Sequence, residues 1–283
     1  MNAQEFFESD IQIPSLPDVY YDFKDAMDNP EASFEEISDV IATDPGLSAR
    51  LLRIVNSAYF GFPSEISSIR HATSVVGLEQ LNNLVISTVI IDRFKGIPDS
   101  IMNMQSFWKH SIACGMGAKI ISSHAGEANK EFFFVAGMLH DIGRLIIALV
   151  SPFNILSVFM RCKSENIPLQ ESEQDILGFT HADIGKHLLK VWGLPVYLQE
   201  VVGNHHQPEK MPNFSKEASI IHVADQLVNS LELGDSGETI FPSKISSSAW
   251  KKLGLPKEIT QKHLCEEIYK NVSSTLQVFL PAA

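Results

Sequence analysis

The chain has 283 residues, of which 45% are hydrophobic and 20% are charged, a composition that indicates a folded protein with one large core or two smaller cores. Its formal net charge is −12 and no run of lysine or arginine occurs, which argues against nucleic acid or an anionic membrane as the main partner. Three cysteines without CxxC spacing, and an N-terminus without a signal-peptide pattern, predict a cytoplasmic protein.

Helical signals dominate the first third of the chain. Ser33 and Glu36 form a Ser-x-x-Glu capping box, and apolar residues at helical spacing follow it. Asp44 followed by Pro45 predicts the start of a second helix, because aspartate is a favoured N-cap and proline suits the first helical position. Gly61 marks the end of the apolar pattern of that helix.

Residues 67–94 carry two further helical runs, and the phrase GLEQLNNLV within them has a weak helix-turn-helix character. The acidic balance of the chain favours plain helix packing over DNA binding here. The segment KGIPDS, residues 95–100, is the best candidate boundary, which predicts an N-terminal helical domain of residues 1–98 and a second helical domain of residues 99–283 with a C-terminal extension. Strand-like alternation is scarce, so the predicted fold class is all-α.

The most apolar stretch is FFFVAGMLHDIGRLIIALV, residues 132–150, with His140, Asp141 and Arg144 near its centre. Its length would suffice for a membrane span, but the charged residues favour a buried helix of a soluble protein. A buried charge without a partner costs several kcal/mol or more, so Asp141 requires a compensating cation.

A series of polar residues interrupts the apolar helices of the second domain, and it comprises His110, His140, Asp141, His181, His205, His206 and Asp225. Neutral imidazoles and carboxylates are ligands of divalent transition metals, and a metal ion would neutralise Asp141. Each residue alone has a simpler explanation. His110 could be a hydrogen-bonded core histidine, and His205 and His206 precede Pro208 at a helix end, where imidazoles are favoured anyway. Together these residues predict a metal site.

The order His, His-Asp, Asp resembles the HD superfamily of metal-dependent phosphohydrolases, with His110, His140, Asp141 and Asp225 at the matching positions and with LHDIGR and HVADQL as similar local contexts. His181, His205 and His206 resemble the additional ligands of HD-GYP cyclic-dinucleotide phosphodiesterases, which hold two metal ions. The resemblance implies one or two divalent transition-metal ions, drawn from Fe, Mn, Ni and Zn.

A longer match is to the HDOD family, the HD-related output domain of bacterial signalling. The phrases DPGLSARLLRIVNSAYFG, FVAGMLHDIG, HADIGKHLLKVWGLP and GNHHQPE are similar to it, and the resemblance covers roughly residues 13–230. It implies an N-terminal helical bundle packed on an HD-type helical core.

Three departures from the HD-GYP pattern argue against cyclic-dinucleotide hydrolysis. No Gly-Tyr-Pro motif follows the paired histidines, Ser106 stands where a third-metal glutamate would be, and Arg144 replaces the usual lysine. If the centre is catalytic, the resemblance implies that Asp141 bridges two metal ions and that Arg144 clamps phosphate, a task for which its planar fork is suited. Lys109 and Lys186 are lesser candidates for phosphate binding.

Three functions remain open from the sequence. The leading one is a signal-transduction or regulatory protein with a retained, dinuclear HD-type metal site and a signalling protein as partner. The alternative is a metal-dependent phosphohydrolase or phosphodiesterase acting on a nucleotide or another phosphorylated small molecule. The third is a helical scaffold with a vestigial site. Nucleic acid and membrane are not expected partners, and no chemistry is assigned to the region from Gly234 onward.

Overall fold

The computed structural model describes residues 3–8, 13–91, 93–94, 96–238 and 244–280, apart from the side chain of Glu8. These residues form helices and loops without a strand, which confirms the predicted all-α class. The helices are α1 (Ala3–Glu8), α2 (Asp18–Asp28), α3 (Phe34–Ala42), α4 (Pro45–Val55), α5 (Ile69–Val76), α6 (Leu78–Ile91), α7 (Met104–His124), α8 (Lys130–Leu139), α9 (Ile142–Val150), α10 (Pro152–Glu165), α11 (Leu169–Leu177), α12 (His181–Val191), α13 (Val196–Gly203), α14 (Ser215–Ser230), α15 (Ser247–Lys252) and α16 (Gln261–Phe279).

The chain divides into two compact units. The larger unit comprises Met1–Ile13 and Gly96–Val272, and the smaller unit comprises Pro14–Lys95 and Ser273–Ala283. Each unit therefore contains a short segment from the opposite end of the chain. The domain boundary that the sequence suggests, between residues 98 and 99, stays a prediction.

The smaller unit contains the two helix starts that the sequence predicts. The Glu36 carboxylate accepts a hydrogen bond from the Ser33 N–H at 2.7 Å, while the Ser33 hydroxyl accepts from the Glu36 N–H at 3.2 Å, which completes a capping box for α3. Asp44 accepts from the Leu47 N–H at 2.9 Å and caps α4. Both starts are confirmed, and the apolar faces of α2 to α6 pack together as the core of this unit.

The larger unit is organised around α7, which packs against α8 and α14. Helix α9 packs against α12, and α12 packs against α13. The largest side chains of this core include Phe107, Phe134 and Trp192, each at most 1% exposed. Burial of large apolar side chains of this kind provides the main stabilisation of such a unit.

A turn at His140 and Asp141 interrupts the apolar stretch that the sequence suggests is one buried helix. The segment Lys130–Val150 is long and apolar enough to cross a membrane, but 89% of its most apolar window is buried inside the protein. In a continuous helix, neighbouring side chains point about 100° apart. The turn lets the imidazole of His140 and the carboxylate of Asp141 lie at 3.1 Å from each other.

Gly143 determines how closely α9 approaches α12. A Cβ atom at this position would overlap the carbonyl oxygen of His181 and lie 2.6 Å from the backbone nitrogen of Gly185. Both neighbours are backbone atoms, which cannot rotate away as a side chain can. The absence of a side chain at Gly143 therefore brings the start of α9, next to Asp141, against the start of α12, where His181 lies.

Gly143→Ala is expected to destabilise the protein by about 1–3 kcal/mol, because the added methyl group forces two packed helices apart. Urea unfolding measures this change. Gly46→Ala is the matched control, since the nearest atom to its added Cβ is a side-chain oxygen of Asp44 at 3.3 Å. The control is expected to stay within about 0.5 kcal/mol of the parent protein. Equal stability of the two variants would contradict the prediction.

Candidate metal centre

The seven residues that the sequence suggests as metal ligands lie together inside the larger unit. They come from α7, the turn between α8 and α9, the start of α12, the loop after α13, and α14, and they are His110, His140, Asp141, His181, His205, His206 and Asp225. Six of them are at most 1% exposed, and the side chain of His206 is 7% exposed. Their role as metal ligands stays a prediction.

The first half of the centre consists of His110, His140, Asp141 and Asp225. The Nε2 atom of His110 lies 3.2 Å from Oδ1 of Asp225 and 3.7 Å from Oδ2 of Asp141. The Nε2 atom of His140 lies 3.1 Å from Oδ2 of Asp141 and 3.6 Å from Oδ1 of Asp225. Two imidazoles thus face two carboxylates, with Cys114 at the edge of this group.

The second half of the centre consists of the other oxygen of Asp141 with His181, His205 and His206. Oδ1 of Asp141 lies 3.2 Å from Nε2 of His181 and 3.8 Å from Nε2 of His205. The Nε2 atoms of His181 and His206 are 2.9 Å apart. Asp141 therefore directs one carboxylate oxygen toward each half, which is the geometry required of a bridging residue.

The residues of the first half fit a divalent transition metal. With metal–nitrogen distances of about 2.1 Å, neighbouring ligand atoms lie roughly 3.0–3.4 Å apart, close to the separations observed. The Nδ1 atom of His140 contacts the carbonyl oxygen of Gly137 at 2.7 Å, which leaves Nε2 as the ligand atom. Nε2 of His140 is buried and forms no hydrogen bond, although such atoms are normally satisfied, and Oδ1 of Asp141 in the second half is in the same state.

Electrostatics in the first half favour bound cations. Burial alone would lower the pKa of His140, but Asp141 and Asp225 outweigh burial and raise it well above the usual value. Burial and Glu238 raise the pKa of Asp225, yet the imidazoles of His110 and His140, at 3.2 Å and 3.6 Å, lower it to about 2. The side-chain amides of Asn229 and Gln226 also donate to Asp225, each at 2.9 Å. The centre is thus a buried site with excess negative charge.

Metal affinity is expected to rise with pH, because the raised pKa of His140 leaves a proton on this imidazole in the metal-free protein at neutral pH. A metal ion must displace that proton, which changes the affinity by roughly tenfold per pH unit below the pKa. Calorimetric titration with Mn²⁺ between about pH 6 and pH 8, in buffers of different ionisation enthalpy, measures affinity and proton release together.

His187→Gln is the matched control for this titration, because His187 packs against Phe7 with ring centroids 4.4 Å apart. The control is expected to keep the pH dependence of the parent protein. A metal affinity that does not change with pH, combined with no proton release, would contradict the prediction.

Arg144 lies inside the centre and is 0% exposed. Its Nη1 atom donates to Oδ2 of Asp141 at 2.7 Å and to the hydroxyl of Ser236 at 2.6 Å. Its Nη2 atom donates to the carboxylate of Glu238 and lies 3.0 Å from Nε2 of His181. The interpretation of Arg144 as a phosphate clamp stays a prediction, but every part of the guanidinium group is turned toward protein atoms.

Three further residues of the centre were not identified from the sequence. Glu173 on α11 accepts from the backbone N–H of His181 at 2.9 Å and contacts Nδ1 of its ring at 2.6 Å, so it orients this imidazole. Cys114 lies one helical turn after His110, with its sulfur 3.4 Å from Nε2 of that histidine. Glu238 comes from the region to which the sequence analysis assigns no chemistry, and it lies 3.2 Å from Nε2 of His206.

The signals for these three residues differ. Cys114 could have been found from its i, i+4 spacing to His110 on one helix face. Glu173 has no local pattern, because its partner His181 lies beyond a helix end. Glu238 follows a loop of small and polar residues, in which a carboxylate carries no burial signal. His222 is not among the candidate ligands. Its Nδ1 atom contacts the backbone carbonyl oxygen of His205 at 3.1 Å and so helps to hold the loop that carries His205.

A surface cavity of about 520 Å³ includes His206 in its wall. Its lining also contains the carboxylates of Glu171, Asp175 and Asp183, and no lysine or arginine is among the described residues that line it. A separate group at the surface, formed by His124, His263 and Glu267, has an Nε2–Oε2 distance of 2.7 Å from His124 to Glu267. That distance is typical of an ordinary hydrogen bond.

Comparisons with known proteins agree with this architecture. The HDOD domain family matches residues 13–208. An HDOD domain protein of unknown function from Geobacter sulfurreducens has a structure with a TM-score of 0.80 and 25% sequence identity, and the match covers 98% of this chain and 97% of that one.

Two further relatives extend the comparison. A Shewanella amazonensis protein, whose name proposes a phosphohydrolase, has the same fold with a TM-score of 0.74 and 21% identity, covering 95% of this chain and 94% of that one. An uncharacterized protein from Treponema pallidum is 25% identical over 229 residues, which are 80% of this chain. The chain spans only 43% of the length of that curated relative.

Proposed function

The chain belongs to the HDOD family, and from this premise we propose that it is a bacterial regulatory protein whose HD-type centre holds a divalent transition metal without turning over a substrate. The observation that carries the proposal is the enclosure of a complete ligand set. Six candidate ligands are at most 1% exposed, and Arg144 is 0% exposed. A phosphoester could not contact these atoms without a rearrangement of the protein around them.

The charge of the neighbouring cavity supports the same conclusion. This cavity includes His206, and its lining contains Glu171 and Asp183 together with Asp175, whose charge is offset by an ion pair with Arg161 at 2.8 Å. Phosphate esters are anions, and a cleft lined by carboxylates lowers their local concentration. Lys186, a lesser phosphate candidate from the sequence, pairs with Glu200 at 2.8 Å instead. Lys109 lines a different cavity, together with Glu232 and Asp235.

In this proposal the bound ion acts on the protein itself. His110 and Cys114 lie on α7, His140 and Asp141 lie in the turn after α8, and Asp225 lies on α14. An ion ligated by these residues would connect three elements that are distant in sequence and would stabilise their arrangement. We propose a signalling protein as the partner that recognises this arrangement. A Marinobacter aquaeolei relative whose name proposes a signal transduction protein supports this assignment.

A metal-dependent phosphohydrolase is the second candidate function. The complete ligand set favours it, as do the names of two Shewanella amazonensis relatives that propose phosphohydrolases. A metal ion, when bound, would lower the pKa of a water molecule and polarise a phosphoryl oxygen. For Arg144 to bind phosphate, its guanidinium would have to leave Glu238 and Ser236.

The two functions predict different outcomes in one assay. The purified protein, loaded with Mn²⁺ or Fe²⁺, is incubated with phosphomonoesters, phosphodiesters and cyclic nucleotides. The regulatory proposal expects no hydrolysis product above that of the Asp225→Asn variant, whether free phosphate from the monoesters or a phosphomonoester from the diesters and cyclic nucleotides, although the parent protein binds metal. Turnover that depends on both metal and Asp225 would overturn the regulatory proposal and establish the phosphohydrolase.

A further inference from the structure

The guanidinium group of Arg144 lies among the ligand atoms of the second half of the centre. We propose that Arg144 is the cation of this half in place of a second metal ion, and that the centre binds one ion per chain, in the first half. This inference rests on the proposed function, because it specifies how the proposed metal centre is filled.

The ligand atom of His181 lies beside a positive charge. Its Nδ1 atom contacts the carboxylate of Glu173 at 2.6 Å, so the other nitrogen, Nε2, would have to bind the metal. Nη2 of Arg144 lies 3.0 Å from Nε2 and 3.4 Å from Nδ1, so the guanidinium covers the face of this imidazole. A second metal ion on Nε2 would therefore stand next to the positive charge of Arg144, which repels it.

His206 also faces groups of the protein. Its Nε2 atom lies 3.2 Å from a carboxylate oxygen of Glu238 and 2.9 Å from Nε2 of His181. Two of the three histidines of the second half therefore have close neighbours in Arg144 and Glu238.

Arg144 is held in place by groups outside the candidate ligand set. These groups belong to residues 231–238, which we call the closing loop. The hydroxyl of Ser236 accepts from Nη1 at 2.6 Å, its carbonyl oxygen accepts at 3.1 Å, and Glu238 accepts from Nη2. Ser236 is 1% exposed and Glu238 is 4% exposed, so the closing loop is itself buried at these points.

The closing loop is anchored on α7. The backbone N–H of Asp235 donates to the carbonyl oxygen of Ser106 at 3.2 Å. Gly234 has a φ of +88° and packs so closely that a Cβ atom there would overlap the backbone of Ser106 and His110. The loop conformation that places Glu238 against Arg144 is thus fixed by backbone contacts that are independent of the centre's side chains.

Arg144 already supplies positive charge to this part of the centre. The centre contains four carboxylates, those of Asp141, Glu173, Asp225 and Glu238, each at most 4% exposed. Arg144 donates to two of them, Asp141 and Glu238, so these two have a counter-charge without a second metal ion. The first half can still bind a metal ion. Oδ2 of Asp141 accepts a hydrogen bond from Arg144, and a carboxylate oxygen has a second lone pair that can coordinate a metal.

The test is the ratio of metal to protein. Each protein carries His263→Gln, which removes the surface group around Glu267 from the count. The chelator-stripped chain is dialysed against Mn²⁺ and its metal content is measured by elemental analysis, with circular dichroism as the check of folding. The proteins are the parent, His206→Ala in the second half, and His110→Ala in the first half. Asp225→Asn replaces His110→Ala if that variant does not fold.

We expect one Mn²⁺ per chain in the parent, one in His206→Ala, and at least a tenfold lower occupancy in the first-half variant. Two ions per parent chain would overturn the inference and leave the proposed function intact. One ion that is lost in His206→Ala but kept in the first-half variant would also overturn the inference alone. A parent protein that binds no metal would overturn the inference and the proposed function together.

Discussion

Arg144→Met is expected to destabilise the protein by about 3–5 kcal/mol, the cost of removing one partner from a buried ion pair. The guanidinium of Arg144 is 0% exposed and donates to the carboxylates of Asp141 and Glu238. Methionine fills a similar volume without a charge, so the lost stability is electrostatic, because two buried carboxylates no longer face the guanidinium. Urea unfolding in the presence of a chelator measures the effect without a contribution from bound metal.

Arg161→Met is the matched control. Arg161 also pairs with two carboxylates, those of Glu165 and Asp175, but its side chain is 31% exposed. Exposed ion pairs contribute about 0–1 kcal/mol, so the control is expected to lose no more than that. If both variants lose the same amount, the buried position of Arg144 has no special importance. If Arg144→Met is as stable as the parent, the contacts that surround this side chain do not hold in solution.

Removal of bound metal is the second change with a large expected effect. A ligand that binds only the folded state, present at a thousand times its dissociation constant, stabilises a protein by about 4 kcal/mol. For a unit of this size, that corresponds to a decrease in Tm of roughly 8–16 °C when a chelator removes the ion. Differential scanning calorimetry of the Mn²⁺-loaded and the chelator-treated protein measures the decrease.

Two substitutions of aspartate by asparagine separate the metal effect from general effects. Asp225→Asn removes a carboxylate of the first half and is expected to abolish the response of Tm to chelation. Asp39→Asn makes the same change on the smaller unit, where Asp39 pairs with Arg70 at an exposed position. This control is expected to keep the full response. An identical Tm of the parent with and without chelator would contradict the presence of a stabilising ion.

The sequence predicts the helical elements well, because their signals are local. The capping box of Ser33 and Glu36 and the start at Asp44 and Pro45 involve residues within one helical turn of each other. The convergence of the seven candidate ligands was expected from their order along the chain. Each lies in or beside an apolar segment, where a polar residue stands out against its neighbours.

The remaining features depend on contacts between segments that are distant in sequence. The turn at His140 and Asp141 has no glycine or proline in it, and packing of α9 on α12 rather than local preference defines it. In the sequence, Glu173 and Glu238 look like carboxylates of the protein surface. Only the structure shows that both are buried next to Arg144. The resemblance to the HD superfamily predicts a phosphate-binding role for Arg144, and nothing in its local sequence indicates that Glu238 lies beside it.

The position of Glu238 in the chain also has a consequence for biosynthesis. Synthesis proceeds from the N-terminus, and Glu238 follows Arg144 by 94 residues. Glu238 is still missing when Arg144 leaves the ribosome. Arg144 in the nascent chain therefore lacks one of its carboxylate partners until the next 94 residues have been released. The final packing around the guanidinium therefore forms only after the last of these segments has emerged.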